Sequence, residues 1–290
     1  EHPVMGSVVH LDLRHLGEKY LKERLPFICE LAKAYVGVDP VKEPIPVRPT
    51  AHYTMGGIET DGKCATRMPG LYAAGECASV GLHGANRLGS NSLSEIVVFG
   101  KVAGEQAAEF AATQQHGNTE ALAAKAEALI KQHLSLMDID GTENPADIRN
   151  ELGMSMEAGV GIYRTEELMQ GTIDKINELK ARYKKIKIND KSSVFNTDLL
   201  YAIELGYMLD VAEAMAHSAI NRKESRGSHQ RLDGYEERDD VNFLKHTLSF
   251  YAPEGAPTID YSDVKITKSQ PAKRVYGSEG EKQDEAKKNG

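Results

Sequence analysis

Two glycine-rich stretches of this 290-residue chain each contain a basic side chain that could bind an anion. The first, PTAHYTMGG at residues 49–57, contains His52, and the second, GLHGANRLGSNSL at residues 81–93, contains Arg87. A guanidinium binds a carboxylate through two parallel hydrogen bonds, and an imidazole adds a directional donor. A lone histidine or arginine in a loop is more often an ordinary polar residue, so it is the shared glycine-rich setting that suggests a carboxylate site.

The second stretch lies directly before a predicted helix at residues 92–112, SLSEIVVFGKVAGEQAAEFAA. Ser92 and Glu95 have the spacing of a capping box at its start. The free backbone N–H groups of a first helical turn attract anions and electron-rich ligand atoms. Gly89 would let a ligand approach the backbone closely. We therefore expect Arg87 and this helix start to form one positive spot.

Composition excludes several classes of protein. The formal net charge of -8 argues against a nucleic-acid binder, which would show a basic face. The three cysteines form no CxxC pattern, so we expect reduced thiols in a cytosolic protein and no metal site. No apolar run approaches the ~20 residues that span a bilayer, and no signal peptide is visible. The chain begins with Glu and enters a strand-like pattern at once, so we expect it to be part of a longer protein.

The first 76 residues predict short elements. Alternation predicts a strand at 7–13, and helical patterns follow at 16–24 and 26–37, the latter with Pro26 in its first turn and Gly37 as its C-cap. The prolines of 38–49 predict extended backbone. Two further elements are predicted from turn residues and apolar runs: a β-hairpin at 56–67 around Asp61-Gly62, and a short buried strand, GLYAAGE, at 70–76.

The remainder predicts a helical bundle of about four members followed by a closing pair of strands at 246–251 and 257–267. Apolar residues recur at helical spacing in four segments: 119–137, 144–163, 165–186 and 196–225. The segment ESRGSHQR at 224–231 is predicted to be a solvated helix end. The charged run at 279–290 is predicted to be a disordered tail.

The stretch TRMPGLYAAGE at 66–76 resembles the second flavin-binding motif of two-dinucleotide-fold flavoproteins, with Glu76 at its acidic position. Together with PTAHYTMGGIETD, GECASVGLHGANRLGSNSLSEIVVFG, HSAINRKESRGSHQRLDGYEERDD and SDVKITKSQPAKRVYG, it resembles the fumarate reductase and succinate dehydrogenase flavoprotein family. The motifs TAHYTMGG and NRLGSNSL are most similar to those of the bacterial quinol:fumarate reductase flavoproteins. The resemblance covers the whole chain apart from about the last dozen residues.

The resemblance implies a multidomain α+β fold. It implies the C-terminal part of a two-dinucleotide-binding-type FAD domain, then a helical bundle and a small β-containing C-terminal domain. The implied segments are the end of a capping domain with connecting helices at 1–45, the returning part of the FAD domain at 46–105, the bundle at 106–235, the C-terminal domain at 236–278, and the tail at 279–290.

The same resemblance assigns residues to the chemistry. His52 and Arg87 would hold the two carboxylates of fumarate or succinate over the flavin ring. The helix start would direct its N–H groups at the flavin edge that becomes anionic on reduction. The residues implied to contact FAD are His52, Tyr53, Glu76, Arg87, Leu88, Gly89, Ser90, Asn91, Ser92 and Leu93. It also suggests that 224–231 faces the flavin domain or a partner subunit.

The implied activity is fumarate reduction, with electrons that pass from menaquinol through an iron–sulfur partner subunit to FAD. Membrane anchor subunits would place the assembly at the cytoplasmic face of the bacterial inner membrane. The family's G-x-G-x-x-G loop, flavin-linking histidine and proton-donating arginine have no counterpart here, and we expect them upstream. The chain alone is therefore expected to lack a complete FAD site. Alternatives are succinate dehydrogenase, L-aspartate oxidase and, from a different class, a non-catalytic helical interaction module.

Overall fold

A computed structural model describes residues 7–115, 117–268 and 270–272 of the chain. The chain divides into two compact units, Glu1–Thr54 and Met55–Gly290. Both contain helices and strands, and the described strands pair in four two-stranded sheets. None of the helices in these ranges is long and apolar enough to cross a membrane.

The first unit joins a small antiparallel sheet to two helices. Its elements are β1 (Val9–Leu11), α1 (Glu18–Arg24), α2 (Pro26–Val36) and β2 (Ile45–Val47), with a 3₁₀ turn at Arg14–Leu16. β1 pairs with β2, so that Val9 lies opposite Val47. Pro26 and Gly37 have their predicted roles, because proline needs no N–H partner in a first turn and Gly37 adopts a left-handed φ of 69°.

The second unit opens with β3 (Ile58–Glu59) and β4 (Ala78–Ser79), which pair in parallel. The hairpin predicted at 56–67 is therefore wrong, because the partner of β3 comes from farther along the chain. The Asp61 carboxylate accepts N–H bonds from Lys63 at 2.8 Å and Ala65 at 3.0 Å. These bonds build a wide side-chain-capped turn in place of the two-residue reversal that a hairpin requires.

The buried strand predicted at 70–76 is also wrong. Tyr72 alone forms a bridge there, with Ala65, and Gly70 and Gly75 both have φ of 83°. A strand needs a neighbour along its length, and the described residues offer only this one bridge. The two left-handed glycines turn the chain at both ends of the segment.

Helix α3 (Asn91–Thr113) begins one residue before the predicted start. The predicted capping box is wrong, because Ser90 is the N-cap residue and no side-chain cap hydrogen bond forms. Glu95 is only 2% exposed, and its Oε2 lies 2.7 Å from Nε2 of His83. A buried carboxylate is stable only with such a partner, and His83 supplies one.

The four later helices are found where they were predicted. They are α4 (Thr119–Leu134), α5 (Pro145–Val160), α6 (Glu166–Tyr183) and α7 (Thr197–Asn221). Each begins with an N-cap residue whose side chain accepts a hydrogen bond from a backbone N–H of the first turn; these N-caps are Asn118, Asn144, Thr165 and Asn196 respectively.

Three of these helices, α5, α6 and α7, share the hydrophobic core. α4 contributes no buried residue and contacts α7 through a 3.0 Å hydrogen bond between His133 Nε2 and the Tyr207 hydroxyl. The bundle core is thus built by three helices, not four. The fully buried side chains of this core include Ile148, Met169, Ile176, Leu179, Ile186, Ile188, Leu205 and Leu209.

Two small sheets complete the second unit. β5 (Tyr163–Arg164) pairs in parallel with β6 (Gln230–Arg231), which ties the α5–α6 connection to the segment after α7. β7 (Lys245–Phe250) pairs antiparallel with β8 (Thr258–Asp263), which confirms the predicted closing strands. The tail predicted at 279–290 lies outside the described residues.

Two glycines of α5 differ in what surrounds them and give a matched test of the packing. A Cβ on Gly159 would lie 2.0 Å from Thr172 Oγ1 and 2.5 Å from the Leu168 carbonyl oxygen, whereas a Cβ on Gly153 would meet nothing within 4 Å. We expect Gly159→Ala to destabilise the protein by about 1–3 kcal/mol through overpacking. Gly153→Ala should stabilise it by about 0.5–1 kcal/mol through helix propensity. Urea unfolding of both variants measures the difference, and equal effects would contradict the packing described here.

Candidate functional site at the start of helix α3

The loop that leads into α3 ends in an unusual backbone conformation. Ser90 has a φ of 65°, which is rare for a residue other than glycine. Such conformations concentrate at functional sites. The start of α3 also lacks the side-chain cap that α4 to α7 all have. In its first turn the N–H groups of Asn91 and Leu93 donate to the Leu88 and Ser90 carbonyls, at 3.2 Å and 3.1 Å, so the Ser92 N–H is the donor best placed to meet a ligand.

Arg87 lies half-buried in this loop, and its Nη1 donates to the Leu88 carbonyl at 3.2 Å. Leu88 and Leu93, on either side of the helix start, are 54% and 65% exposed. A Cβ on Gly89 would meet nothing within 4 Å, so the space beside it is open. The positive φ of this loop lies at the next residue, Ser90.

The turn that contains Glu76 lies against the same helix. Glu76 is exposed, and a Cβ on the preceding Gly75 would lie 3.2 Å from Ile96 Cγ2 of α3. Gly57 lies even closer to this turn, because a Cβ there would be 2.5 Å from the Cys77 carbonyl oxygen. The turn that contains the predicted acidic residue, Glu76, thus packs against α3, the helix whose start is predicted to contact the flavin.

His52 and Tyr53 follow β2 in the first unit. His52 is exposed and Tyr53 is half-buried. The joint role predicted for His52 and Arg87 stays a prediction. Asn91 and Ser92, the remaining predicted contacts, are half-buried in the first turn of α3.

Two contacts hold the Arg87 loop in place, and the sequence analysis identified neither. The first is the buried pair of His83 and Glu95, whose side chains are 9% and 3% exposed. The second is made by Ser228, whose N–H and hydroxyl both donate to the Ala85 carbonyl, at 2.9 Å and 2.8 Å. The partners are 12 and 143 positions apart in the sequence, so no local pattern predicts either contact.

Ser228 belongs to the segment 224–231, which was predicted to be a solvated helix end. That prediction is wrong, because α7 ends at Asn221 and the segment is largely buried. Glu224 and Arg231 are 0% exposed and His229 is 7% exposed. The predicted contact with the flavin-binding region has a counterpart in the bonds to Ala85.

Glu224 is the centre of this buried network. Its carboxylate accepts from Arg222 Nη2 at 2.6 Å, Arg226 Nε at 2.8 Å and the Asp239 N–H at 2.9 Å. Burial alone would raise the pKa of Glu224, but the hydrogen bonds from Arg226, Asp239 and Arg222 outweigh it and lower the pKa. The carboxylate is therefore ionised and firmly held at neutral pH.

His229 is held neutral by its neighbours. Arg164 Nη1 lies 2.7 Å from Nδ1, and since a guanidinium can only donate, Nδ1 is the acceptor. Nε2 then carries the proton and donates to the Arg222 carbonyl at 2.9 Å. Burial, and then the positive charges of Arg164, Arg231 and Arg222, lower the pKa of His229 to about 4.

Comparison with known proteins agrees with the resemblance in the sequence. The family described as FAD binding domain matches residues 3–93, and the family described as fumarate reductase flavoprotein C-term matches residues 149–276. A fumarate reductase flavoprotein subunit of Serratia sp. is 70% identical over 285 residues, and that of Escherichia coli K12 is 68% identical over 282 residues. The chain belongs to the fumarate reductase flavoprotein family.

Solved structures of this family have the same fold. The FrdA chain of E. coli quinol fumarate reductase superposes with a TM-score of 0.91 at 68% identity, over 95% of this chain and 47% of that chain. The match to the Serratia relative covers 98% of this chain but only 48% of that protein. The chain therefore spans about half the length of the curated relatives it matches. An adenosine-5-phosphosulfate reductase, at a TM-score of 0.62 and 19% identity, shares the fold alone.

The FAD-binding match indicates FAD as the cofactor. The residues around α3 fit one edge of such a group, because an uncapped helix start supplies donors beside exposed apolar surface. Leu93 and Val97 of α3 are 65% and 71% exposed, which suits the face of a large aromatic ring. The sequence contains no glycine-rich dinucleotide loop, so these residues account for only part of a site.

The buried neutral His229 predicts a pH dependence of stability in this family member. The pKa of His229 is about 4 in the folded chain and 6.5 when unperturbed, so protonation favours unfolding. The contribution of neutral His229 to the free energy of unfolding is complete above pH 6.5. It is lost as the pH falls towards 4, by about 3 kcal/mol in total. Gln can keep one donor and one acceptor, so His229→Gln should reduce the loss of stability between pH 6.5 and about pH 5.

The measurement is the free energy of unfolding in urea across this pH range. The exposed His10 provides the matched control, and His10→Gln should leave the pH dependence as it is. A His229→Gln variant with the full wild-type pH dependence would show that this imidazole is not held neutral.

Proposed function

We propose that the chain is part of the flavoprotein subunit of a fumarate reductase, which reduces fumarate to succinate with electrons that pass through FAD. The observation that carries this conclusion is 68–70% identity to fumarate reductase flavoprotein subunits over 97–98% of the chain. The remaining half of such a subunit would supply the dinucleotide loop, the flavin-linking histidine and the proton-donating arginine.

Arg87 has the chemistry to bind one carboxylate of the substrate. A guanidinium can form two parallel hydrogen bonds to a carboxylate. Bound FAD, once reduced by the incoming electrons, would supply a hydride to one alkene carbon of fumarate, and negative charge would grow towards the carboxylate beyond the other carbon. A fixed cation at that carboxylate stabilises the transition state more than the ground state.

His52 is proposed to donate a hydrogen bond to the other carboxylate of the substrate. This assignment rests on the sequence TAHYTMGG and its resemblance to the family. A hydrogen-bond donor at one carboxylate and a cation at the other would hold the substrate in one orientation.

The residues proposed to contact the flavin surround the start of α3. Glu76 is proposed to bind the ribityl chain of the flavin, and the positive end of the α3 dipole would face a ring edge that gains negative charge. The full proposed set is His52, Tyr53, Glu76, Arg87, Leu88, Gly89, Ser90, Asn91, Ser92 and Leu93.

The proposed partners are an iron–sulfur subunit and, indirectly, membrane anchor subunits with a quinone site. A solved structure of quinol-fumarate reductase with menaquinol molecules, at 68% identity and a TM-score of 0.90, supports an assembly with a quinone site. We propose the cytoplasmic face of the bacterial inner membrane as its location. The segments 1–45, 46–105, 106–235 and 236–278 are the proposed domains.

Succinate dehydrogenase is the second candidate, because that enzyme runs the same reaction in reverse. A succinate dehydrogenase flavoprotein subunit of Rickettsia bellii is 42% identical over 288 residues. The fumarate reductase subunits of four bacteria are 65–70% identical, which favours fumarate reduction.

Arg87→Ala in the full-length protein that contains this chain tests the proposal. We expect at least a ~10²-fold loss of kcat/KM for fumarate, the scale of removing one preorganised donor from a charge-stabilising site. Bound FAD, read from the flavin absorbance of the purified protein, should stay at the wild-type ratio. Arg24→Ala on the exposed surface of α1 removes the same charge and should leave turnover unchanged. Wild-type kcat/KM in Arg87→Ala would refute the assignment.

A further inference from the structure

We infer that Ser228 is a positioning residue for Arg87: it holds the arginine loop at the depth from which the guanidinium can bind a substrate carboxylate. The inference rests on the proposed function and extends it to the C-terminal half of the chain. It concerns a residue that touches neither proposed substrate nor cofactor and acts only through the loop.

The contact is made to the backbone of the loop itself. The N–H of Ser228 donates to the Ala85 carbonyl oxygen at 2.9 Å, and its hydroxyl donates to the same oxygen at 2.8 Å. Two donors occupy both lone pairs of that oxygen and fix the direction of the Ala85–Asn86 peptide plane. The plane ends at the Cα of Asn86, the residue before Arg87, so a tilt of this plane shifts the backbone that carries Arg87.

The two backbones also meet in steric contact. Gly227 has a φ of 59°, and a Cβ there would lie 2.5 Å from the Ala85 oxygen and 2.9 Å from the Ala85 Cβ. No side chain fits in that space. The loop is thus fixed by hydrogen bonds from Ser228 and by close backbone packing against Gly227.

The segment that provides these contacts is rigid. Arg226 and His229 exchange two backbone hydrogen bonds, at 2.9 Å and 3.0 Å, which close the turn that contains Gly227 and Ser228. The Arg226 side chain is bound to the buried Glu224, and His229 is bound on both ring nitrogens. A turn fastened at both ends can impose its position on a partner loop.

This contact joins two regions that match different families, because Ala85 lies within residues 3–93 and Ser228 lies within residues 149–276. The C-terminal region therefore takes part in substrate binding, although it lies far from Arg87 in the sequence. The loop is anchored on its other side by His83 and Glu95. Since misplacement of a binding group by about 1 Å can cost 10²-fold in rate, both anchors bear on turnover.

The test uses the full-length flavoprotein and four variants. Ser228→Ala removes only the hydroxyl donor, and we expect kcat/KM for fumarate to fall about fivefold, the factor for one hydrogen bond, mainly through a higher KM. Ser228→Thr keeps the hydroxyl and should restore most of that loss. FAD content and the KM for a viologen electron donor should match the wild type in both variants.

Gly227→Ala adds strain and steric overlap with Ala85 together, and we expect a loss of about 10²-fold. Gly255→Ala is its matched control, because Gly255 also has positive φ, at 81°, but a Cβ there would meet nothing within 4 Å. That variant should stay within about twofold of the wild type. Hydrogen exchange of peptides that cover residues 81–90 should be faster in Ser228→Ala than in the wild type.

The outcomes separate the inference from the function on which it rests. If the wild-type protein does not reduce fumarate, the proposed function fails and the inference fails with it. If the wild type turns over fumarate but Ser228→Ala keeps the wild-type KM, or if Ser228→Thr is as impaired as Ser228→Ala, the positioning role alone is overturned. Loss of FAD from Ser228→Ala would likewise overturn it, by showing a general structural role.

Discussion

The buried carboxylate of Glu224 is the constraint on which the arrangement of the C-terminal region depends. A charge with 0% exposure is tolerated only when donors surround it, and here two arginines and a backbone N–H do so. These donors come from residues 222, 226 and 239. Because the buried carboxylate needs all of these hydrogen bonds, it holds three separate points of the chain in place. Removing the carboxylate would leave two partly buried guanidiniums without this partner.

The effect of this network extends to the proposed active site. The network closes the turn at Gly227 and Ser228, and that turn holds Ala85 two residues before Arg87. The same loop leads into α3, whose start has a left-handed Ser90 and no side-chain cap. A backbone conformation of this kind persists only where surrounding contacts hold it. Here the contacts made by Ala85 and His83 hold the loop.

Sequence reasoning predicted well wherever local chemistry decides the structure. Pro26 and Gly37 delimited α2, and sustained helical periodicity located α4 to α7. It failed where long-range contacts decide. The partner of β3 is β4, about twenty positions along the chain, and the local Asp-Gly signal pointed to the wrong strand.

Charged residues caused the other errors. The segment 224–231 was predicted to be solvated because arginine and glutamate are seldom fully buried, and only the fold shows that they satisfy one another. Glu95 has the spacing of a helix cap but pairs with His83 instead. The identities of His52, Arg87 and Glu76 could be proposed from sequence, whereas the contacts that hold the Arg87 loop could not.

The most direct test of the central claim is anaerobic reoxidation of the flavin in the full-length protein. The bound flavin would be reduced with dithionite, excess reductant removed, and fumarate added while the visible flavin band and the succinate produced are measured. We expect the oxidised flavin band to return and one succinate to form per flavin. A band that stays bleached with fumarate, yet returns when oxygen is admitted, would contradict it.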